Sequence, residues 1–172
     1  MKRFLYLLPV LALVLLAGCG GDDEPEGAGN IACQAYLKDS GTASRADGVF
    51  FLFEGTGYKE LDFSTYEAFP IQKIKAVKSN GSKVENIGWC TSSKNNSGLI
   101  VPTYSATDKD RLSKIQSGTF TIVCLMGLNS MYHYSYMMKE FTKKKTEVIL
   151  VSPVFQTSDF SKTNTTKVPW RE

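Results

Sequence analysis

Short apolar runs separated by turn residues dominate the chain after residue 30. Residues 48–54 read GVFFLFE and residues 119–126 read TFTIVCLM, and both runs are rich in β-branched and aromatic side chains. Each run is too short for a buried helix, so each predicts a buried strand. Residues 31–37 and 146–152 predict two further strands by the same criteria.

A β-hairpin is the clearest local signal. Asn80-Gly81 separates residues 74–79 from residues 82–89, and both flanking segments carry apolar residues between polar ones. Asn-Gly favours a type I′ turn, in which both central residues have positive φ. The sequence therefore predicts two antiparallel strands that meet at Asn80-Gly81.

The remaining elements complete a β-rich domain over residues 30–172. Residues 99–104 predict a strand in which Pro102 indicates an edge position or a bulge, and residues 132–141 predict another. The single helix-like start is at Thr107, and turn residues soon after it leave room for at most about three turns. About seven or eight short strands with at most one short helix predict an all-β, mainly antiparallel fold, arranged as a single β-sandwich.

A different pattern precedes this domain. Residues 4–16 are an apolar run behind the positively charged Lys2 and Arg3. A membrane-spanning helix needs about 20 apolar residues, so this run is too short for a permanent span and is typical of a signal peptide. Residues 20–29 hold acids, glycines and a proline but no large apolar side chain. They predict a flexible tether, because such a segment cannot bury enough surface to offset its ordering entropy.

Residues 16–19 read LAGC, which resembles the lipobox of bacterial lipoproteins: a branched apolar residue and two small residues before a cysteine. The resemblance implies that residues 1–18 are removed as a lipoprotein signal peptide. It also implies that Cys19 carries a diacylglyceryl group with acyl chains such as palmitate, so that residues 19–29 are a lipidated cysteine and its tether. An ordinary secretory signal with a chance cysteine at its end is the alternative.

The acidic run at residues 22–26 also resembles the surface-export signal of Bacteroidota lipoproteins. This resemblance implies lipid anchoring in the outer membrane through Cys19, with the domain facing the cell exterior. The alternative is a periplasm-facing domain on a spacer whose acids only keep the chain extended.

Charge adds little to this picture. The formal net charge is +3, and because acids are concentrated in the tether, the domain itself is mildly basic. No basic motif interleaved with aromatic residues is present, which together with export argues against a nucleic-acid partner. The run Lys143-Lys144-Lys145 is predicted to be a solvated turn between strands, with a weak anion or polysaccharide contact as the alternative.

Three cysteines, Cys33, Cys90 and Cys124, remain once Cys19 is assigned to lipid. Disulfides are permitted outside the inner membrane, but an odd number leaves at least one thiol unpaired within the chain. Buried free thiols are slightly favoured, because Cys33 and Cys124 lie in apolar runs; if one bond forms, Cys33–Cys124 is the first choice. With no C-x-x-C motif and the single histidine His133, we expect no metal site and no cofactor.

Recognisable catalytic motifs are absent from the sequence. It contains no G-x-S-x-G, no P-loop and no H-E-x-x-H. His133 lies among tyrosines in a strand-like stretch and is interpreted as a half-exposed packing residue. Asp108 and Asp110 fit a helix start as well as they fit a hydrolase or calcium site. We therefore expect that the chain is not an enzyme, with a hydrolase as a distant alternative.

Aromatic residues give the better functional hypothesis. In a regular strand, Tyr132, Tyr134 and Tyr136 share one face with Met138. If exposed, this stripe would be a platform on which a glycan or a partner protein stacks. If buried, which is the favoured alternative, it is part of the core. Trp89 carries the same two interpretations.

The second half of the domain resembles a known class of β-sandwich. Residues 118–122 read GTFTI, and a tyrosine-rich strand, a basic turn and TEV at residues 146–148 follow. This order resembles the Gly-x-Tyr-x-Val, strand, basic turn, Thr-x-Val pattern of carboxypeptidase-regulatory-like and transthyretin-like domains, with Phe120 in place of Tyr. The resemblance implies a non-catalytic structural or binding module on an exported protein.

Two functions remain open on this basis. The first is a membrane-anchored, surface-displayed module that binds a glycan or a partner protein, which predicts exposed aromatic side chains. The second is a structural or accessory subunit of an envelope assembly with no small-molecule site. It predicts buried aromatic side chains and an exposed edge strand available for β-strand addition.

Overall fold

The computed structural model describes residues 31–65, 72–103, 115–128, 134–160 and 165–172. These residues are mostly β-strand, with two short 3-10 segments at Phe63–Thr65 and Thr157–Phe160. Most strand pairs are antiparallel, so the predicted all-β, mainly antiparallel class is confirmed. The predicted signal peptide, the tether and the helix-like start at Thr107 lie outside the described residues.

The described strands form one six-stranded sheet and three three-stranded sheets. Numbered in chain order, they are β1 (Ile31–Cys33), β2 (Ala35–Lys38), β3 (Ser44–Ala46), β4 (Gly48–Glu54), β5 (Tyr58–Asp62), β6 (Lys75–Lys78), β7 (Lys83–Glu85), β8 (Gly88–Ser92), β9 (Gly98–Leu99), β10 (Val101–Pro102), β11 (Gly118–Gly127), β12 (Tyr134–Lys143), β13 (Ile149–Val151), β14 (Val154–Gln156) and β15 (Thr165–Lys167).

The six-stranded sheet, in the order β10-β8-β4-β11-β12-β15, is the centre of the fold. Its middle strand β4 is buried on both faces: Phe50 and Leu52 pack on one side, and Phe51 and Phe53 pack on the other. A strand buried on both faces needs a continuous apolar run rather than alternation. This explains the sequence GVFFLFE, and the strand prediction for residues 48–54 is confirmed.

One face of the central sheet is covered by two short sheets, β13-β1-β9 and β14-β2-β3. The two short sheets are nearly continuous, because only Gln34 separates β1 from β2 and the parallel pairing continues across Gln34. Gln34 N donates to Val151 O and Tyr36 N donates to Pro153 O, both at 2.9 Å. The strand predicted at residues 31–37 is therefore present, with a break at Gln34.

The other face of the central sheet is covered by the sheet β5-β6-β7, whose Leu61 and Ala76 join the core cluster of Phe51 and Phe53. The described fold thus has three layers, and the prediction of a single β-sandwich is corrected to several sheets. The reason is that the middle strands carry large apolar side chains on both faces, and each face needs a covering layer.

The predicted hairpin between β6 and β7 is present, but its two-residue type I′ turn is not. Lys78 N donates to Ser82 O at 2.8 Å and Gly81 N donates to Lys78 O at 2.9 Å, so the loop has three residues, 79–81. A loop of this length ends in a residue with positive φ, and Gly81 has φ +82°. The second strand is shorter than predicted, because β7 ends at Glu85 and the chain turns at Asn86 towards the central sheet. Gly88 then begins β8, which belongs to a different layer.

Lys143 is buried rather than solvated, which corrects the prediction for the basic run. It is 1% exposed, and its Nζ donates hydrogen bonds to the carbonyl oxygens of Gln116 at 2.8 Å and Lys144 at 3.2 Å. Burial lowers the pKa of the Lys143 ammonium group, and the nearby Glu147 carboxylate partly opposes this. Lys144 and Lys145 are exposed, so the first lysine of the run holds the turn to the body of the domain.

Candidate functional site

Tyr136 of β12 is a core residue. It is 5% exposed, and its ring centroid lies 6.1 Å from that of Phe63. Burial raises the pKa of the Tyr136 phenol, which a hydrogen bond with the Leu61 backbone partly opposes. The sheet β5-β6-β7 covers this side chain, so Tyr136 presents little surface to a ligand.

Trp89 and Tyr134 are half-buried and lie on strands that are far apart. Between β8, which carries Trp89, and β12, which carries Tyr134, the central sheet places β4 and β11. Three strand spacings amount to about 14 Å. Tyr132 and His133 lie outside the described residues. The described members of the predicted aromatic set, Trp89, Tyr134 and Tyr136, therefore do not form one exposed platform.

Large apolar side chains that are exposed in the described structure lie together instead. The exposed fractions are 53% for Leu99, 45% for Val101, 71% for Val148 and 71% for Leu150. We call these four residues the outer apolar face. Leu99 and Leu150 lie on the side of the sheet β13-β1-β9 that points away from the core, and Val101 and Val148 lie on the chain segments that continue from β9 and precede β13.

The strand register explains why these residues are neighbours. Ala32 in the middle strand β1 pairs with Leu150 on one side and with Leu99 on the other, and adjacent strands lie about 4.8 Å apart. Val101 is two residues beyond Leu99, and Val148 is two residues before Leu150. Alternate residues of an extended chain point to the same side, which fits the exposure of Leu99 and Val101 around the buried Ile100. Val148 and Leu150 are likewise exposed on either side of the half-buried Ile149.

The outer edge of β13 has no neighbouring strand in the part of the chain that the structure describes. Val151 directs its carbonyl inwards to Gln34 N, so Leu150, one residue earlier, directs its peptide groups outwards. Further along the same edge, Val154 N donates to Arg171 O at 3.0 Å, so the C-terminal segment covers that position. Among the described residues, none covers Leu150 in this way. The outer apolar face therefore adjoins an open strand edge.

Asp62, a carboxylate in the sheet β5-β6-β7, has structural partners for its charge. Asp62 Oδ2 lies 2.8 Å from Lys83 Nζ, and Asp62 Oδ1 accepts hydrogen bonds from Ser64 N at 3.0 Å and Ser64 Oγ at 2.6 Å. The Lys83 contact first, and then the Ser64 bonds, hold the pKa of the Asp62 carboxyl group well below its usual range. No group of three His, Cys, Asp or Glu side chains within the described ranges is placed to hold a metal ion.

Sequence patterns did not reveal the outer apolar face. Leu99 and Val101 flank the fully buried Ile100, and Val148 and Leu150 flank the half-buried Ile149. Because both sides of these segments are apolar, the sequence shows no difference between the side that packs and the side that stays exposed. Only the layer arrangement distinguishes them.

Comparison with known proteins found no matching family model, no similar curated protein and no similar solved structure. Among the described residues, no helix has the length and apolar character needed to cross a membrane.

Proposed function

We propose that the chain is a lipid-anchored, non-catalytic binding module of the outer membrane that faces the cell exterior and binds a partner protein through the outer apolar face. One observation carries this proposal. The exposed Leu99 and Leu150 flank Ala32 on one sheet face, with Val101 and Val148 two residues away along the chain. This face lies beside a strand edge whose outward peptide groups at Leu150 no described residue covers.

An extended strand of a partner protein fits this site better than a glycan or a lipid surface. In β-strand addition, the partner's main chain hydrogen-bonds with the open edge while its side chains pack on the apolar face. A lipid surface would cover the side chains but leave the peptide groups of Leu150 unpaired, at a cost of roughly 2–7 kcal/mol for each group. A glycan stacks on aromatic rings, whereas the outer apolar face is aliphatic.

An accessory subunit of an envelope assembly is the alternative form of this function. It would use the same surface in a permanent rather than a reversible contact. The burial of Tyr136 favours either protein-binding form over the glycan-binding form, because the tyrosine stripe was the feature on which glycan binding depended.

Lipid attachment at Cys19 is the first test. In the organism that makes the chain, mass spectrometry of the mature N-terminal peptide is expected to show cleavage before Cys19 and a diacylglyceryl group on its sulfur. Replacement Cys19→Ser should move the chain out of the membrane fraction, because the acyl chains supply the anchoring energy. The matched variant Gly21→Ser should leave both results unchanged. An intact N-terminus starting at Met1 would contradict the anchor.

Site-specific photo-crosslinking tests the partner surface. With a photoreactive residue in place of Val148 in the full chain, we expect a discrete crosslinked protein species in intact cells. The decisive variant is Leu150→Pro, which keeps an apolar residue but removes the outward N–H that an added strand needs, at an edge position where proline is tolerated. Leu150→Pro should lower the crosslink yield at least about tenfold, and Leu150→Lys should do the same by removing the apolar contact.

A photoreactive residue at the exposed Thr142, which lies on the central sheet, is the matched control and should give no such species. Circular dichroism and thermal melting of each variant confirm that the fold is retained. Crosslinks to lipid alone would assign the face to the membrane, and a protein crosslink unaffected by Leu150→Pro would contradict strand addition.

A further inference from the structure

Cys33, Cys90 and Cys124 are free, buried and in the same core cluster. Cys90 on β8 and Cys124 on β11 each pair with Phe50 of the intervening strand β4. Their Cα atoms are therefore two strand spacings apart, which is about 9–10 Å. A disulfide bond needs Cα atoms within about 7 Å, so Cys90 and Cys124 cannot be joined without movement of the backbone.

Cys33 approaches Cys90 from the covering layer. It lies on β1, which contacts β8, and it belongs to the same core cluster as Cys90. Two residues further along both strands, Ala35 N donates to Ser92 Oγ at 3.2 Å. This hydrogen bond holds the chain that follows Cys33 against the chain that follows Cys90.

Gly98 permits this approach. It pairs with Cys33 in the β1–β9 ladder, and a Cβ atom built on it would lie 2.9 Å from Cys90 Sγ. Because Gly98 has no side chain, β9 passes close to the Cys90 sulfur without pushing it away from Cys33. The pairing of Cys33 with Gly98, the closeness of Gly98 to the Cys90 sulfur and the Ala35–Ser92 hydrogen bond thus all place Cys33 beside Cys90.

We propose that Cys33 and Cys90 form a disulfide bond that joins the covering layer to the central sheet, and that Cys124 remains a buried thiol. The proposal rests on export to an oxidising compartment, which is part of the proposed function. The sequence slightly favoured free thiols and gave Cys33–Cys124 as first choice if one bond forms. Cys90 takes the place of Cys124 because Gly98, the ladder partner of Cys33, lies against the Cys90 sulfur.

The oxidant is a disulfide, carried either by a thiol oxidoreductase or by glutathione. The S–S bond of the oxidant breaks and accepts two electrons and the two thiol protons to give two thiols, while one S–S bond forms between Cys33 and Cys90. Burial raises the pKa of the Cys33 thiol in the folded domain, and thiolate is the reactive form. The bond therefore forms while the chain folds, before the core closes over the two sulfurs.

Peptide mapping tests the pairing. The full chain is isolated from membranes of the organism, denatured without reductant, alkylated and digested. We expect one peptide pair joined through Cys33 and Cys90, with Cys124 alkylated. Replacement Cys124→Ala should leave the joined pair, whereas Cys90→Ala should leave Cys33 alkylated. Reduction of the wild-type chain should lower its Tm by about 10 °C.

The same digest reports Cys19, which separates this proposal from the proposed function. Lipidated Cys19 together with alkylated Cys33 and Cys90 would overturn the disulfide alone. An unlipidated, uncleaved chain would overturn the export proposal, and refolding of the purified full chain in a glutathione redox buffer would then decide the pairing. There, a Cys33–Cys90 link is expected, and either a Cys33–Cys124 link or three alkylated thiols would overturn it.

Discussion

Replacement of Asn86 with alanine is expected to lower the free energy of unfolding by about 4 kcal/mol, a large part of the roughly 5–15 kcal/mol that a domain has in total. Asn86 is fully buried. Its Oδ1 accepts from Ile74 N at 2.8 Å, and its Nδ2 donates to Gln72 O at 3.0 Å, Gly88 O at 3.0 Å and Thr103 Oγ1 at 2.9 Å. Alanine removes all four hydrogen bonds, and the buried Ile74 N loses its acceptor.

The position of Asn86 explains why the loss should be large. It stands where the chain leaves the sheet β5-β6-β7 and enters the central sheet, so its amide ties two layers together. Asn86→Asp separates hydrogen bonding from packing. It keeps the size and the acceptor for Ile74 N but places a carboxylate oxygen against the acceptors Gln72 O and Gly88 O. We expect Asn86→Asp to be as destabilising as Asn86→Ala at neutral pH.

Urea unfolding of the purified full chain, followed by tryptophan fluorescence, measures both effects. The matched control is Asn96→Ala, because the Asn96 side chain is exposed and should change the unfolding free energy by less than about 0.5 kcal/mol. A loss below about 1 kcal/mol for Asn86→Ala would contradict the role assigned to its amide group.

Replacement of Gly98 with alanine is expected to cost about 3 kcal/mol, because the new methyl group has no space. A Cβ atom at Gly98 would lie 2.2 Å from the carbonyl oxygen of Thr91 and 2.9 Å from Cys90 Sγ. The first contact is with backbone, which cannot rotate away, so either β9 or β8 must move. Insertions into a packed core cost typically 1–3 kcal/mol and sometimes more, and a backbone contact this short places Gly98→Ala at the upper end.

Thermal and urea unfolding of Gly98→Ala check this expectation, and Gly57→Ala is the matched control. Gly57 has φ +80° and nothing within 4 Å of a built Cβ atom. Alanine there should cost only the roughly 1–2 kcal/mol of a left-handed backbone. Equal losses for the two variants would show that the contact at Gly98 relaxes easily. Gly98 also lies against Cys90 and directly precedes Leu99 of the outer apolar face. Gly98→Ala should therefore reduce both the yield of the Cys33–Cys90 link and the yield of the partner crosslink.

Local sequence determined the elements whose signals are short-range. The continuous apolar runs of β4 and β11 identify buried strands without any knowledge of neighbours, because such residues must leave water wherever they are placed. Asn80-Gly81 marked the position of the hairpin, because glycine adopts the positive φ found at residue 81, although the loop has three residues rather than two. Pro102 indicated an edge, and β10 does lie at the edge of the central sheet.

Pairing between strands that are distant along the chain could not be predicted from local sequence. The parallel pairs β1–β13 and β12–β15 join segments that are distant along the chain, and nothing local to either segment selects its partner. The burial of Lys143 has the same origin, because its carbonyl acceptor at Gln116 comes from a different part of the chain. Both depend on how whole layers pack.

The candidate site shows this division most clearly. The amino-acid sequence alone determined that the domain is all-β, that three cysteines allow at most one internal disulfide, and that a lipobox-like segment precedes the domain. Only the tertiary structure decided that Tyr136 is buried, that Leu99 and Leu150 share an exposed face, and that Gly98, the ladder partner of Cys33, lies against the Cys90 sulfur. The physical reason is that exposure and contact depend on how two layers pack together. An apolar side chain becomes core if another sheet covers its face, and it stays at the surface if none does.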